Sequence, residues 1–167
     1  MMSLLSLQDT VRVVLIGVGA TAVMDLWLLL LQRLGVQAVD YSLVGRWMGH
    51  LARGRFAHEA IARATPIPHE RGLGWLTHYG VGIAYAGLLV AMLGIDSARQ
   101  PSLLPALSTG IATVVVPLLV MQPAMGHGFA ATKTPAPLKT CLRSLANHAA
   151  FGTGLYVAAA LLEWLTR

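Results

Sequence analysis

VRVVLIGVGATAVMDLWLLLLQRL, running from Val11 to Leu34, is the stretch whose reading decides the fold of this chain. It is long and apolar enough to match the roughly 20 residues with which a helix crosses the hydrocarbon core of a bilayer. Asp25 lies inside it. An ionisable carboxyl at membrane depth is costly, so it is kept for a function or for a specific partner.

Outward from this run, windowed hydrophobicity predicts four spanning helices, at about residues 11–34, 75–94, 103–124 and 142–165. Composition agrees, because 56% of the 167 residues are hydrophobic, only 11% are charged, and the mean hydropathy is +0.65. Those values lie far from soluble norms. The expected class is all-α: a polytopic membrane protein whose single four-helix transmembrane domain fills residues 1–167. Met1 to Asp9 lacks a basic leader, and the apolar run that follows is too long for a signal-peptide core, so it reads as an uncleaved first span.

Charge sets the expected orientation. Arg33, Arg46, Arg53, Arg55, Arg63 and Arg71 fall around the first connection and Lys133, Lys139 and Arg143 around the third, against Arg12, Arg99 and Arg167 on the other side. The positive-inside rule then puts the first and third connections in the cytoplasm and both termini outside. These basic residues form no stripe interleaved with aromatics, so the expected partner is the lipid bilayer and not nucleic acid. With Cys141 alone, neither an internal disulfide nor a paired-thiol motif can form.

The first connection, about residues 35–74, is too long for a turn and shows helical periodicity. Leu43, Val44, Trp47, Met48 and Leu51 make an apolar face opposite Arg46, His50 and Arg53. A second short helix is expected from Phe56 to Ala64, stopped by Pro66-Ile67-Pro68. Both read as interfacial helices on the inner leaflet, with Arg46, Arg53, Arg55 and Arg63 meeting lipid phosphate or a partner.

Polar and small residues recur at helical spacing in the spans. Gly17, Thr21 and Asp25 share one face, as do His78, Gly82 and Tyr85, and Ser144, His148, Gly152 and Tyr156. At 1.5 Å per residue, Asp25 lies about 13 Å from the cytoplasmic end of its helix, and His78 and His148 about 5 to 9 Å from theirs. Gln122 and His127 fall on the same side, near Pro117, which can kink the third span. Asp25, His78, His148, Gln122, Tyr85 and Tyr156 are therefore the candidate ligand or proton site. Two imidazoles and a carboxylate also suit a divalent metal, which His50 and His58 could join from the connection.

Other motifs fail on their own terms. His58-Glu59 and His69-Glu70 begin zinc-protease strings but meet Ala62 and Leu73 where the second histidine belongs. Gly17-Val18-Gly19 lies inside a spanning helix, where no dinucleotide-binding turn can form. A weak internal repeat pairs Gly19-Ala20-Thr21 with Gly110-Ile111-Ala112-Thr113, and His78, Gly82 and Tyr85 with His148, Gly152 and Tyr156.

Ordered strings run along nearly the whole chain: GATAVMDLW (Gly19–Trp27), GRWMGH (Gly45–His50), GRFAH (Gly54–His58), GWLTHY (Gly74–Tyr79), MQPAMG (Met121–Gly126), SLANH (Ser144–His148) and GTGLY (Gly152–Tyr156). Together they resemble a bacterial membrane family described as a domain of unknown function, number 2938. The resemblance implies a four-span protein of the bacterial inner membrane and brings no activity, cofactor or catalytic residue with it. Asp25, Arg46, His50, His58, His78, Gln122 and His148 all fall inside the strings, whereas His127 stands where a small or apolar residue is expected.

The functional expectation is a protein that binds or transports an ion, a proton or a small molecule at a cytoplasm-facing Asp/His site. As a transporter it would work as a homodimer, since four short helices enclose little volume. One alternative is an accessory or scaffold subunit held to a partner or to anionic lipid by its basic connection. Another is a membrane-embedded enzyme using a divalent metal or haem, neither of which the sequence requires. No nucleophile or acid–base pair marks a substrate, so catalysis is the least expected of the three.

Overall fold

A computed structural model of the protein describes residues 6–37 and 39–166; Arg167, which entered the charge comparison, lies outside them. The regular elements are α1 (Leu7–Arg33), α2 (Tyr41–Leu51), α3 (Glu70–Leu93), α4 (Leu103–Ala124) and α5 (Pro137–Leu165). No strand occurs among the described residues. α1, α3, α4 and α5 are each long and apolar enough to cross a bilayer.

Two of these helices start before their apolar windows. α3 begins at Glu70 and α5 at Pro137, residue types that suit a first helical turn because an acid complements the helix dipole there and proline lacks only an N–H that would be unmatched. α4 is not uniform. It is α-helical over Leu103–Ala112, widens to a π turn at Pro117–Met121 and closes with one α turn, Gln122–Ala124. The Gln122 N–H donates to the Pro117 carbonyl, so the wide turn around the proline sets where Gln122 leaves the helix.

The chain forms two compact units, the first from the chain up to Trp27, Tyr79–Ala112 and the chain from His148 onward, the second from Leu28–His78 and Thr113–Asn147. In the first unit, close backbone contact holds the helices together. A Cβ on Gly17 would fall 2.5 Å from Ile83 Cα, which makes glycine necessary where α1 crosses α3. A Cβ on Gly110 would fall 2.6 Å from the Gly152 nitrogen, where α4 crosses α5. Thr21 also abuts Gly82, so the glycines paired by the internal repeat, Gly82 and Gly152, each receive the preceding span. Ile16, Ala20, Ala86, Leu89, Phe151 and Leu155 fill the core between the crossings.

Ion pairs occupy the far end of this unit. Arg99 meets Asp9 at 2.7 Å and Arg12 meets Glu163 at 3.4 Å. Arg99 and Glu163 are thus each engaged with α1.

The second unit holds the first connection. α2 is capped by Asp40, whose carboxylate accepts the Ser42 N–H at 2.9 Å. The expected second helix from Phe56 is reduced to one 3-10 turn, Ile61–Arg63. Its backbone is used elsewhere: the His58 N–H donates to the Ala124 carbonyl at 2.8 Å and the Ile61 N–H to the Met125 carbonyl at 3.0 Å. Those bonds clamp the connection onto the end of α4 and take up the donors that a helix would need.

Beyond that clamp the chain enters left-handed backbone at Ala130 (φ 47°) and Ala131 (φ 60°). For an alanine this conformation costs about 1–2 kcal/mol. Ala130→Gly is therefore expected to raise stability by up to about 1 kcal/mol, read as a higher thermal unfolding midpoint in detergent. A midpoint that stays put or falls would show that the turn is unstrained.

Candidate functional site

α2 places its polar residues inside the second unit. Gly45, Arg46 and His50 are its buried residues, while Leu43, Val44, Trp47, Met48 and Leu51 are only half-buried. The helix has the predicted two faces, and the polar one is turned in.

Gly45 permits the close approach. A Cβ there would fall 2.7 Å from the Gly74 nitrogen and inside contact distance of the Glu70 carbonyl, so α2 crosses α3 backbone to backbone. Arg46, 9% exposed, then reaches Glu70 with a two-pronged ion pair: Nε donates to Oε2 at 2.9 Å and Nη2 to Oε1 at 2.8 Å. Its Nη1 donates to the Ala62 and Ala64 carbonyls, each at 3.1 Å. This flat, forked geometry is what a guanidinium provides and an ammonium does not. The carboxylate of Glu70 holds the Arg46 guanidinium above its already high ordinary range. Arg46 is thus withdrawn from the group expected to meet lipid phosphate, because its donors are spent inside the unit; Arg53, Arg55 and Arg63 remain exposed.

One turn along α2, His50 meets His58, with Nδ1 and Nε2 2.8 Å apart. His50 Nε2 lies 2.9 Å from the Thr65 carbonyl. A carbonyl only accepts, so His50 Nε2 carries a hydrogen. The Nδ1–Nε2 contact takes one donor and one acceptor, set by which ring nitrogen carries the hydrogen. Burial, with the charge of Arg55 and then His50 beside it, holds the His58 imidazole below the usual histidine range.

Two polar atoms of this region stand out. His58 Nδ1 and Gln122 Oε1 are buried and lack a hydrogen-bond partner among the described residues. The residues themselves are 6% and 8% exposed. Each unmatched buried group costs about 1–3 kcal/mol, so two of them near one network call for an explanation. The clamp from His58 to Ala124 puts both on the same small part of the unit.

The spanning candidates have separate partners. Tyr79 donates to Asp25 Oδ2 at 2.9 Å in the first unit, so α1 presents Gly17, Thr21 and Asp25 to α3 as the spacing predicts. Also in the first unit, the Tyr85 ring lies 6.4 Å from that of His148 and 6.0 Å from that of Phe151, and Tyr156 packs against the core. His78 belongs to the second unit, where its Nε2 lies 3.1 Å from the Tyr41 hydroxyl and Tyr41 stacks 4.5 Å from Trp75. No three His, Cys, Asp or Glu side chains converge as metal ligands among the described residues. Of the expected grouping, Asp25 and His148 belong to the first unit, and His78, His50 and His58 to the second, where His50 and His58 meet each other.

Three participants escaped the sequence: Glu70, Tyr79 and Tyr41. Glu70 had a signal, being one of only seven acids in the chain and lying at the head of a span beside an arginine-rich connection. Tyr79 sits next to His78 in a motif string and occupies a different face of the same helix.

No curated protein and no solved structure matches the chain. The sequence pattern of the family described as Protein of unknown function (DUF2938) does match, over residues 14–162. That range takes in Arg46, His50, His58, Glu70 and Gln122, and on it the chain belongs to that family.

Proposed function

We propose that this is a bacterial inner-membrane protein that binds a small ligand at a polar centre made by His50, His58 and Gln122. The observation that carries the reading is the unmatched pair, His58 Nδ1 and Gln122 Oε1, beside an Arg46–Glu70 clamp in which the donors are matched. The clamp fixes the geometry and the unmatched atoms are left to recognise something. The excess of Lys and Arg places this centre on the cytoplasmic side, with both termini outside. The apolar face of α2 then rests on lipid, which explains why its polar face is the buried one.

The test is thermal unfolding of the protein in lipid nanodiscs at graded pH and with sodium, potassium, ammonium, magnesium or zinc salts. At least one of these is expected to move the midpoint of the wild type, and His58→Ala and Gln122→Leu are expected to abolish that response. For protons the sign follows from His58. Its folded value lies below the ordinary one, so its contribution to stability is complete above about pH 6.5 and is lost as pH falls through the folded value. A wild type indifferent to every ion and to pH would sink the reading.

A further inference from the structure

We propose that the turn ending α2 is a headgroup seat for an anionic phospholipid, with Arg53 and Arg55 holding the phosphate and Trp47 and Phe56 resting against the lipid beside it. The inference goes beyond the polar centre. It rests on the preceding reading only where that reading lays the apolar face of α2 on lipid.

The first basis is the shape of the turn. The Arg55 N–H donates to the His50 carbonyl and the Gly54 N–H to the Leu51 carbonyl, with Gly54 in left-handed backbone at φ 80°. That pair of bonds closes the helix, and glycine adopts the required conformation without strain. The Arg53 N–H donates to the same His50 carbonyl, at 3.0 Å like that of Arg55. Two arginine backbones therefore converge on one oxygen, and both side chains start from one small part of the surface. Both residues are exposed, and no hydrogen bond or ion pair engages either guanidinium among the described residues. Two permanently charged, planar forks rising together suit the oxygens of a single phosphate.

The second basis is an aromatic pair. The Trp47 indole N–H donates to the Phe56 carbonyl at 2.8 Å, and the two rings meet edge to face at 6.0 Å. The chain leaving the turn is thereby tied back along the apolar face of α2, with Phe56 left 49% exposed. An apolar, aromatic strip that ends in cations is the pattern of a helix lying in the headgroup boundary. A basic residue at the end of a helix also complements the helix dipole, but that role calls for no aromatic pair alongside it. Glu59 is the only acid in the sequence between Arg46 and Arg63, so the local charge favours an anionic headgroup over a zwitterionic one. A soluble phosphate would engage the arginines and leave the aromatic pair in water. A lipid uses both halves of the surface.

The experiment sets the protein in phosphatidylcholine nanodiscs with a trace of lipid that carries a nitroxide near its glycerol. The labelled lipid is either phosphatidylglycerol or phosphatidylcholine, and the readout is broadening of the Trp47 indole N–H and the Gly54 amide. Labelled phosphatidylglycerol is expected to broaden both at least about fivefold more than labelled phosphatidylcholine, the effect of one arginine at a charged membrane surface. Arg53→Gln combined with Arg55→Gln is expected to bring the two lipids level. Arg63→Gln, which is exposed but lies on the separate turn Ile61–Arg63, is expected to leave the preference in place. Inorganic phosphate is expected to displace no more labelled lipid than chloride does at the same ionic strength.

Equal broadening by both lipids in the wild type overturns the seat while leaving α2 on lipid. Broadening by neither removes the lipid contact as well. A loss from Arg63→Gln as large as that from the paired change would show a diffuse basic surface, and release of lipid by inorganic phosphate would show a site for a soluble anion. Either result overturns the proposal. The ion response of His50, His58 and Gln122 is read from unfolding midpoints, so it stands or falls separately.

Discussion

Arg46→Met is expected to destabilise the protein by about 3–5 kcal/mol, the scale for removing one partner of a buried ion pair. The loss goes beyond the attraction to Glu70. The Glu70 carboxylate stays behind at the head of α3 with its partner gone, and the Ala62 and Ala64 carbonyls lose their donor. Those carbonyls belong to the segment between His58 and Thr65, so the histidine pair should loosen along with α2. Arg46→Lys should recover only part of the loss, because one ammonium cannot span both carboxylate oxygens and two carbonyls. Replacing both partners, as Arg46→Met with Glu70→Leu, should cost less than Arg46→Met alone, since no unpaired charge remains. Equilibrium unfolding in mixed micelles measures all three, and equal stabilities for wild type and Arg46→Met would show that the clamp carries no weight.

Gly45→Ala is the second large effect, expected to cost at least about 1–3 kcal/mol. The added methyl would meet backbone, namely the Glu70 carbonyl group and the Gly74 nitrogen, and backbone cannot swing aside as the end of a side chain can. Relief requires α2 to move away from α3, which also stretches the Arg46–Glu70 pair. The cost of Gly45→Ala should therefore shrink when it is measured in an Arg46→Met background, the signature of coupled sites. Gly72→Ala is the matched control. A Cβ at Gly72 meets nothing within 4 Å, so there the gain in helix propensity should leave stability unchanged or raise it by about 0.5–1 kcal/mol. Equal losses from Gly45→Ala and Gly72→Ala would remove the case for a close crossing.

The four long helices were legible because spanning length and apolarity are local properties of the sequence. The faces within them were legible for the same reason: Gly17, Thr21 and Asp25 do meet α3 along one stripe. Partners across the fold were not. Helical spacing groups Asp25 with histidines, yet the hydroxyl that reaches it belongs to Tyr79, one position from His78 and about 100° away around α3.

The connection was the least legible part. Periodicity gave α2 both its faces without saying which one is buried, and the usual soluble rule would have buried the wrong one. The segment from Phe56 lost its expected helix to backbone bonds with Ala124 and Met125, residues far off in sequence that no local pattern predicts. That same clamp brings the backbone of His58 to the end of α4, two residues past Gln122, a juxtaposition that no local pattern contains.

The inward turn of α2 can be tested on the unmodified protein. In nanodiscs, side-chain resonances of the wild type would be followed with a lipid-borne nitroxide and, separately, with a water-soluble gadolinium chelate. Leu43, Trp47 and Leu51 are expected to broaden with the lipid-borne agent, while the Arg46 Nε–H and the His50 ring N–H stay sharp with both. Broadening of Arg46 and His50 by the water-soluble agent, with Leu43 and Trp47 shielded from both, would contradict the buried polar centre.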